Sequence, residues 1–269
     1  MSRQISVAIL TTFFLFASSS LAEGPKRLLL LGQGPDGHPP QTHEYLPGLK
    51  VLEKCLRPVD GLGVTVLRAD EPWDKGPELL KSADGLVIFL AEGAKWLQAD
   101  SKRQEAFSNL ARRGGGLVVL HWGMGTKDAK NIDSFLQLLG GCHGGPDRKY
   151  KVLEADAKVI DRKHPISSGL NDFRARDEFY YHLKFAKSKN SIQPILQVPI
   201  DGTLETVAWA WERPDGGRSF GFSGLHFHDN WRLPEYRRLV AQAVLWTLKL
   251  PIPKEGLAVD VAQEDLKLP

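Results

Sequence analysis

Histidine is the residue type in this sequence with the most chemistry to offer. Eight are present. His38 and His43, followed by Glu44, come after the first apolar run, and His121 and Trp122 come after a later one. His226 and His228, with Asp229 and Trp231, come after a third, and His143 stands among glycines. An imidazole titrates near working pH and exchanges protons readily. His121 and His226 are therefore expected as the acid/base groups, with the carboxylate of Glu178 or Asp177 orienting or assisting. His38, His43, Glu44, His143, His228 and Asp229 are expected to bind substrate, and Trp122 and Trp231 to offer apolar faces to it. The His226-Phe227-His228 spacing also suits a metal. If the strand persists, both imidazoles share one face, leaving a third ligand to His43, His121 or a carboxylate. Zinc held with an open position would activate water for hydrolysis. A lone histidine is usually structural, but several at independent strand ends call for a common explanation.

Such residues need a scaffold that gathers loops. Lys26 to Leu31, Val64 to Leu67, Gly85 to Leu90 and Leu117 to Leu120 are short apolar runs that read as strands, the later ones apolar on both faces. Helical spacing falls between them, over Tyr45 to Leu56, Pro77 to Ala83 and Ser101 to Arg113, with a further helix at Phe135 to Leu139. Alternating strand and helix imply a doubly wound α/β sheet, whose ligands lie outside the carboxyl ends of the strands. From Lys151 the rhythm changes. Lys151 to Ile160, Phe179 to Phe185, Ile192 to Val198 and Val207 to Trp211 read as strands of an antiparallel extension. Phe220 to Ser223 returns to the core, and an amphipathic helix over Tyr236 to Leu248 closes the domain before Pro251 and Pro253. Residues 254–269 read as a tail on the surface.

Other chemistries are excluded. Gly32-Gln33-Gly34-Pro35-Asp36-Gly37 spells a dinucleotide fingerprint, but Pro39 and Pro40 disfavour the helix that must open at its third glycine. The turn Leu120-His121-Trp122-Gly123 holds histidine where acyl-transfer enzymes of this architecture place Ser or Cys, so acyl-enzyme chemistry has no nucleophile there. Cys55 and Cys142 lack a C-x-x-C partner and read as two unrelated buried thiols. A net charge of +3, with basic residues scattered, gives no reason to expect nucleic acid. Residues 1–22 have a short positive start at Arg3, an apolar stretch from Ile5 to Ala17 and a small-x-small end at Ser20-Leu21-Ala22. They read as an export signal, leaving residues 23–253 as the folded domain of a periplasmic or secreted protein. No later segment approaches the ~20 apolar residues of a membrane span.

The pattern resembles the ThuA-like (trehalose utilisation) family. The resemblance rests on Gly37-His38, Thr42-His43-Glu44, Arg113 to His121, His164-Pro165-Ile166, Gly169-Leu170, Arg176 to Tyr181, Val207-Ala208-Trp209 and Gly217 to Trp231. It implies a flavodoxin-like, class I glutamine amidotransferase-like three-layer sandwich. It also implies a role in carbohydrate catabolism, with sugars or 3-keto-sugars as substrates, and without amidotransferase activity because the cysteine is absent. A carbohydrate-binding protein that has lost the chemistry is the non-catalytic alternative.

Overall fold

The computed structural model describes residues 24–188 and 191–268; the expected leader at 1–22 lies outside them. Strand and helix alternate first: β1 (Lys26–Gly32), α1 (Tyr45–Leu56), β2 (Leu62–Arg68), α2 (Gly76–Ser82), β3 (Gly85–Phe89), α3 (Gly93–Gln98), α4 (Ser101–Arg112) and β4 (Gly116–Leu120). Two short strands, β5 (Gly125–Thr126) and β6 (Gly141–Gly144), flank α5 (Ile132–Leu139). Long strands follow: β7 (Lys149–Val159), β8 (Phe173–Tyr181), the two-residue β9 (Lys184–Phe185), β10 (Gln193–Ile200), β11 (Thr203–Glu212) and β12 (Arg218–Phe222). Helix α6 (Pro234–Thr247) then closes the fold.

The main sheet has nine strands in the order β2-β1-β3-β4-β12-β11-β10-β7-β8. The first five are parallel, and every pairing from β12 outward to β8 is antiparallel. The central runs are apolar throughout because both faces are covered. Leu28, Leu30, Val87, Phe89, Val118 and Leu120 face α1 and α6, while Leu29, Leu31, Leu86, Ile88, Leu117 and Val119 face the core shared with α4 and α5. The result is the expected three-layer sandwich with an antiparallel extension.

Several details differ from expectation. Strand β8 begins at Phe173, earlier than expected, because Ala175, Asp177 and Phe179 alternate inward with the charged Arg174, Arg176 and Glu178 between them. Its continuation breaks after Tyr181, and Lys184–Phe185 pairs instead with β6 in a separate three-stranded sheet. Helix α3 was not anticipated, since six residues carry too little periodicity to announce it. It crosses the turn after β4 so closely that a Cβ on Gly93 would stand 2.0 Å from the Gly123 carbonyl oxygen. The tail is not a loose surface arm. Val259 and Leu266 are buried in the core of α1 and α6, and Arg237 Nε donates to the Val259 carbonyl at 2.8 Å. Cys55 and Cys142 are both free, buried in separate cores, and burial pushes each thiol up to about 12. No helix opens at the third glycine of the fingerprint, and α1 begins only at Tyr45.

Candidate functional site

The carboxyl ends of β1, β4 and β12 bring three loops to one point. Each loop turns through a residue held in the left-handed region: His43 (φ 54°), His121 (φ 45°) and Leu225 (φ 77°). Non-glycine residues adopt such angles at a cost that the surroundings must offset, and functional sites are where this is most often found. The loops are stitched together. His43 N–H donates to the His226 carbonyl at 3.0 Å and His228 N–H to the Gln41 carbonyl at 2.8 Å, forming a bridge between Thr42 and Phe227.

The central group is His121, fully buried. Its Nδ1 lies 2.7 Å from the Ser223 carbonyl oxygen. A carbonyl can only accept, so Nδ1 carries the proton and the neutral ring presents a lone pair at Nε2. His43 follows the same logic, its Nδ1 standing 2.8 Å from Asp36 Oδ2 and its Nε2 therefore left as an acceptor. The two Nε2 atoms face each other at 3.2 Å, and His226 Nδ1 is also 3.2 Å from His121 Nε2. Glu178 Oε1 completes the group, 3.9 Å from His121 Nε2 and 3.6 Å from His226 Nδ1. Lone pairs cannot rest against one another without a proton or a cation between them.

Electrostatics favour the neutral forms of His121 and His226. Burial, then the neighbouring His43 and His226, hold His121 well below the ordinary imidazole value. Burial, then His43 and His38, lower His226 to about 4. Burial alone raises Glu178. Burial also works to raise Asp36, but hydrogen bonds from His43, Tyr45 and His38 outweigh it and hold the carboxyl well below the usual range. The ligand atoms of His43, His121, Glu178 and His226 all lie within 4.8 Å of one another, so this group is able to hold a metal ion. The 3.2 Å spacings are close to the edge of a zinc tetrahedron, about 3.3 Å for Zn–N bonds of about 2.0–2.1 Å. The carboxylate of Asp36 behind His43 is the partner that metal-bound imidazoles ordinarily have.

Adjacent residues on β8 do different work because strand side chains alternate. Glu178 and Tyr180 face the cluster, with the Tyr180 hydroxyl 3.0 Å from His121 Nε2 and its ring stacked between His121 and His143. Asp177 points the other way and is fully buried. Its carboxylate accepts from the backbone N–H of Leu225 (2.6 Å), His226 (3.1 Å) and Glu178 (2.9 Å), and from the Tyr236 hydroxyl (3.1 Å). Burial pushes it up to about 7 against those four donors. Asp177 thus fixes the loop that carries His226 and does not face the cavity.

The cluster forms the floor of an open cavity of about 370 Å³, the size of small-ligand sites. Of the residues singled out from sequence, His38, His43, Trp122, His143, Glu178 and His226 line it, and His121 lies beneath. The other five, Asp177 among them, lie elsewhere. The expected pairing of His226 with His228 does not form, because β12 ends at Phe222 and His228 begins a short 3-10 turn. The His228 ring is buried beside the Leu266 backbone, makes no hydrogen bond of ordinary geometry and takes no part in the metal-capable group. Trp231 is a core residue, packed so tightly on Gly48 that a Cβ there would meet its indole nitrogen at 2.6 Å. Glu44 accepts from Gln41 N–H at the start of α1, and Asp229 pairs with Arg232 on the surface. Sequence reasoning missed the parts played by Asp36, Tyr45, Tyr180, Lys127, Arg148 and Tyr150. Of these only Tyr180 was signalled, standing two residues from Glu178 on one strand face.

Comparison with known proteins fits this picture. The profile of a family described as ThuA, Trehalose utilisation, matches residues 37–247. The chain belongs to the ThuA family. That match spans every residue of the histidine cluster. A solved ThuA-like protein from Bacteroides uniformis superposes with a TM-score of 0.63 at 16% identity, over 86% of this chain and 94% of that one, and so shares the fold. A glutamine amidotransferase from Thermotoga maritima aligns with a TM-score of 0.47 at 8% identity, over 84% of this ThuA-family chain and 100% of its own. The glutaminase domain of a Trypanosoma brucei protein, solved with bound acivicin, gives 0.47 at 10% identity, over 86% and 98%. No curated protein sequence matches.

Proposed function

We propose that this chain is an exported enzyme that acts on a sugar or 3-keto-sugar derivative at the histidine cluster, with a divalent metal of the zinc type held by His43, His121, His226 and Glu178. The convergence of imidazole lone pairs carries this reading: two rings whose Nδ1 protons are committed elsewhere direct Nε2 at each other across 3.2 Å. The family's description, Trehalose utilisation, supports a carbohydrate substrate. The leader-like residues 1–22 support export. A bound metal would polarise a carbonyl oxygen or supply an acidic water. The protein's own groups then do the rest. Asp36 holds the His43 tautomer, Ser223 holds that of His121, and Tyr180 stands ready to donate a proton at the substrate's oxygen. Trp122, in the cavity wall, offers an apolar face to a sugar ring.

A metal-free reading has one observation in its favour. The Tyr180 hydroxyl can donate to His121 Nε2 at 3.0 Å, satisfying that lone pair without a cation. His121, His226 and Glu178 would then move protons as acid and base. Assaying glycosides and 3-keto-glycosides with product analysis, before and after chelation, tests both. Turnover lost on chelation, restored by zinc or another divalent ion, and absent in His121→Ala supports the metal. Full turnover by chelated, metal-free protein rejects it in favour of the acid–base reading. Sugar binding with no product on long incubation would leave only a carbohydrate-binding role.

A further inference from the structure

The walls of the cavity carry charge that a neutral sugar does not need. Three charged side chains line it: Lys127, Arg148 and Glu178. Glu178 is turned toward His121 and His226 on the floor. The two cations belong to the opposite wall, where β5, β6 and the turn into β7 meet.

Arg148 is half-buried, with Nη1 donating to the Gly145 carbonyl at 3.1 Å and its guanidinium 6.0 Å from the Trp122 ring centroid. Its neighbour Asp147 is occupied by Lys184 at 2.8 Å. Among the described residues no carboxylate lies within ion-pair distance of Arg148. Its field nevertheless reaches the site, adding to burial in lowering His143 to about 3. Lys127 shares the single carboxylate of Glu92 with Lys95, at 4.0 and 3.9 Å. The cavity wall therefore holds more positive charge than its own acids neutralise. A half-desolvated guanidinium without a carboxylate partner is a fork shaped for a planar carboxylate. Tyr150, 58% exposed at the same mouth with its ring edge-on to His143 at 6.5 Å between centroids, adds a face for a pyranose ring.

We propose that the substrate accepted by this cavity is a sugar acid, whose carboxylate is read by Arg148 with Lys127 assisting while the rest of the ring reaches the histidine floor. This assignment rests on the reading of the cluster as a sugar-handling site and names its substrate class. Lysine at position 148 would keep the charge and lose the fork.

Calorimetric titration of the full protein with the α- and β-methyl glucuronides and the matching methyl glucosides tests it, with metal content measured in parallel. Wild type should bind a glucuronide at least about tenfold more tightly than its glucoside, a margin that shrinks with added salt. Arg148→Gln should bring the two within about twofold, and Arg148→Lys should fall between, with metal content and thermal midpoint unchanged in both. Equal binding of glucuronide and glucoside by wild type overturns the proposal while leaving the sugar site standing, as does a preference that survives Arg148→Gln. Preference for glucose 6-phosphate without preference for glucuronide overturns the carboxylate assignment. Failure of every sugar to bind removes both this proposal and the function on which it rests.

Discussion

Asp36→Asn isolates the contribution of the carboxylate behind His43. Asp36 Oδ2 accepts from His43 Nδ1 at 2.8 Å and from the Tyr45 hydroxyl at 2.7 Å, and Oδ1 lies 2.7 Å from His38 Nδ1. Asparagine keeps the shape but replaces one acceptor oxygen with a donor and removes the negative charge. If the amide nitrogen faces His43, the ring must flip its tautomer, its Nε2 becomes a donor, and the ligand is lost. If the amide oxygen faces His43, the bond survives as a neutral one and the imidazole is a weaker base. Loss of such an outer partner lowers metal affinity about 10–100-fold, which is about 1.4–2.8 kcal/mol. Competition titration with a zinc-binding dye, at a pH where both proteins are folded, measures that ratio directly. Circular dichroism and the denaturation midpoint guard against simple unfolding, since the Asp36 loop lies outside every helix and strand. An Asp36→Asn variant that binds zinc as tightly as wild type would refute the tautomer argument at its root.

Protonation gives a second test. In the fold His226 titrates near 4 and His143 near 3, while in the unfolded chain both titrate at the ordinary 6.5. Below 6.5 the unfolded chain takes up protons that the fold refuses, so stability is complete above that pH and declines as pH falls toward 4. His226 alone contributes on the order of 3 kcal/mol to that decline, at about 1.4 kcal/mol per pH unit; urea denaturation of metal-free protein from pH 7 to 4 should show it, and a flat profile contradicts it. Asp177→Asn places an amide N–H against a backbone N–H whichever way it turns, and should cost about 1–3 kcal/mol while loosening the loop that carries His226. Denaturation and zinc titration together check this, and unchanged values in both would mean the four donors do not hold that loop. Trp122 and Trp231 are both buried in a core, but only Trp122 also lines the cavity. Trp231→Ala should lose about 3–5 kcal/mol of stability with KM unchanged in the folded protein, and Trp122→Ala should raise KM.

The scaffold was legible because the strands of a doubly covered sheet have few alternatives. Runs such as Leu28-Leu29-Leu30-Leu31 and Leu117-Val118-Val119-Leu120 are too short for buried helices and too apolar for exposed strands. Topology then placed His38, His43, His121 and His226 at one edge without any knowledge of contacts. What the sequence did not reveal depends on angles within loops. The left-handed turn at Leu225 and the short helical turn at His228 send two histidines, spaced like strand neighbours, to different places. Trp231 has the composition of a sugar platform and the packing of a core residue, a distinction that depends on Gly48 of α1, far away in sequence. Asp36 was hidden inside a glycine pattern that suggests nucleotides, and Arg148 in a turn without periodicity. Asp177 and Glu178 looked equivalent as adjacent acids, and only the register of β8 decides which of them meets the histidines.

The central claim is that the Nε2 lone pairs of His43 and His121, with His226 Nδ1 beside them, converge on a cation. Elemental analysis of protein purified without chelator, combined with X-ray absorption at the metal edge, tests this most directly. The expected result is one divalent ion per chain with imidazole ligands in its first shell, lost in His121→Ala and retained in His228→Ala. Metal-free protein with undiminished turnover, or a bound ion that His121→Ala leaves in place, would contradict it.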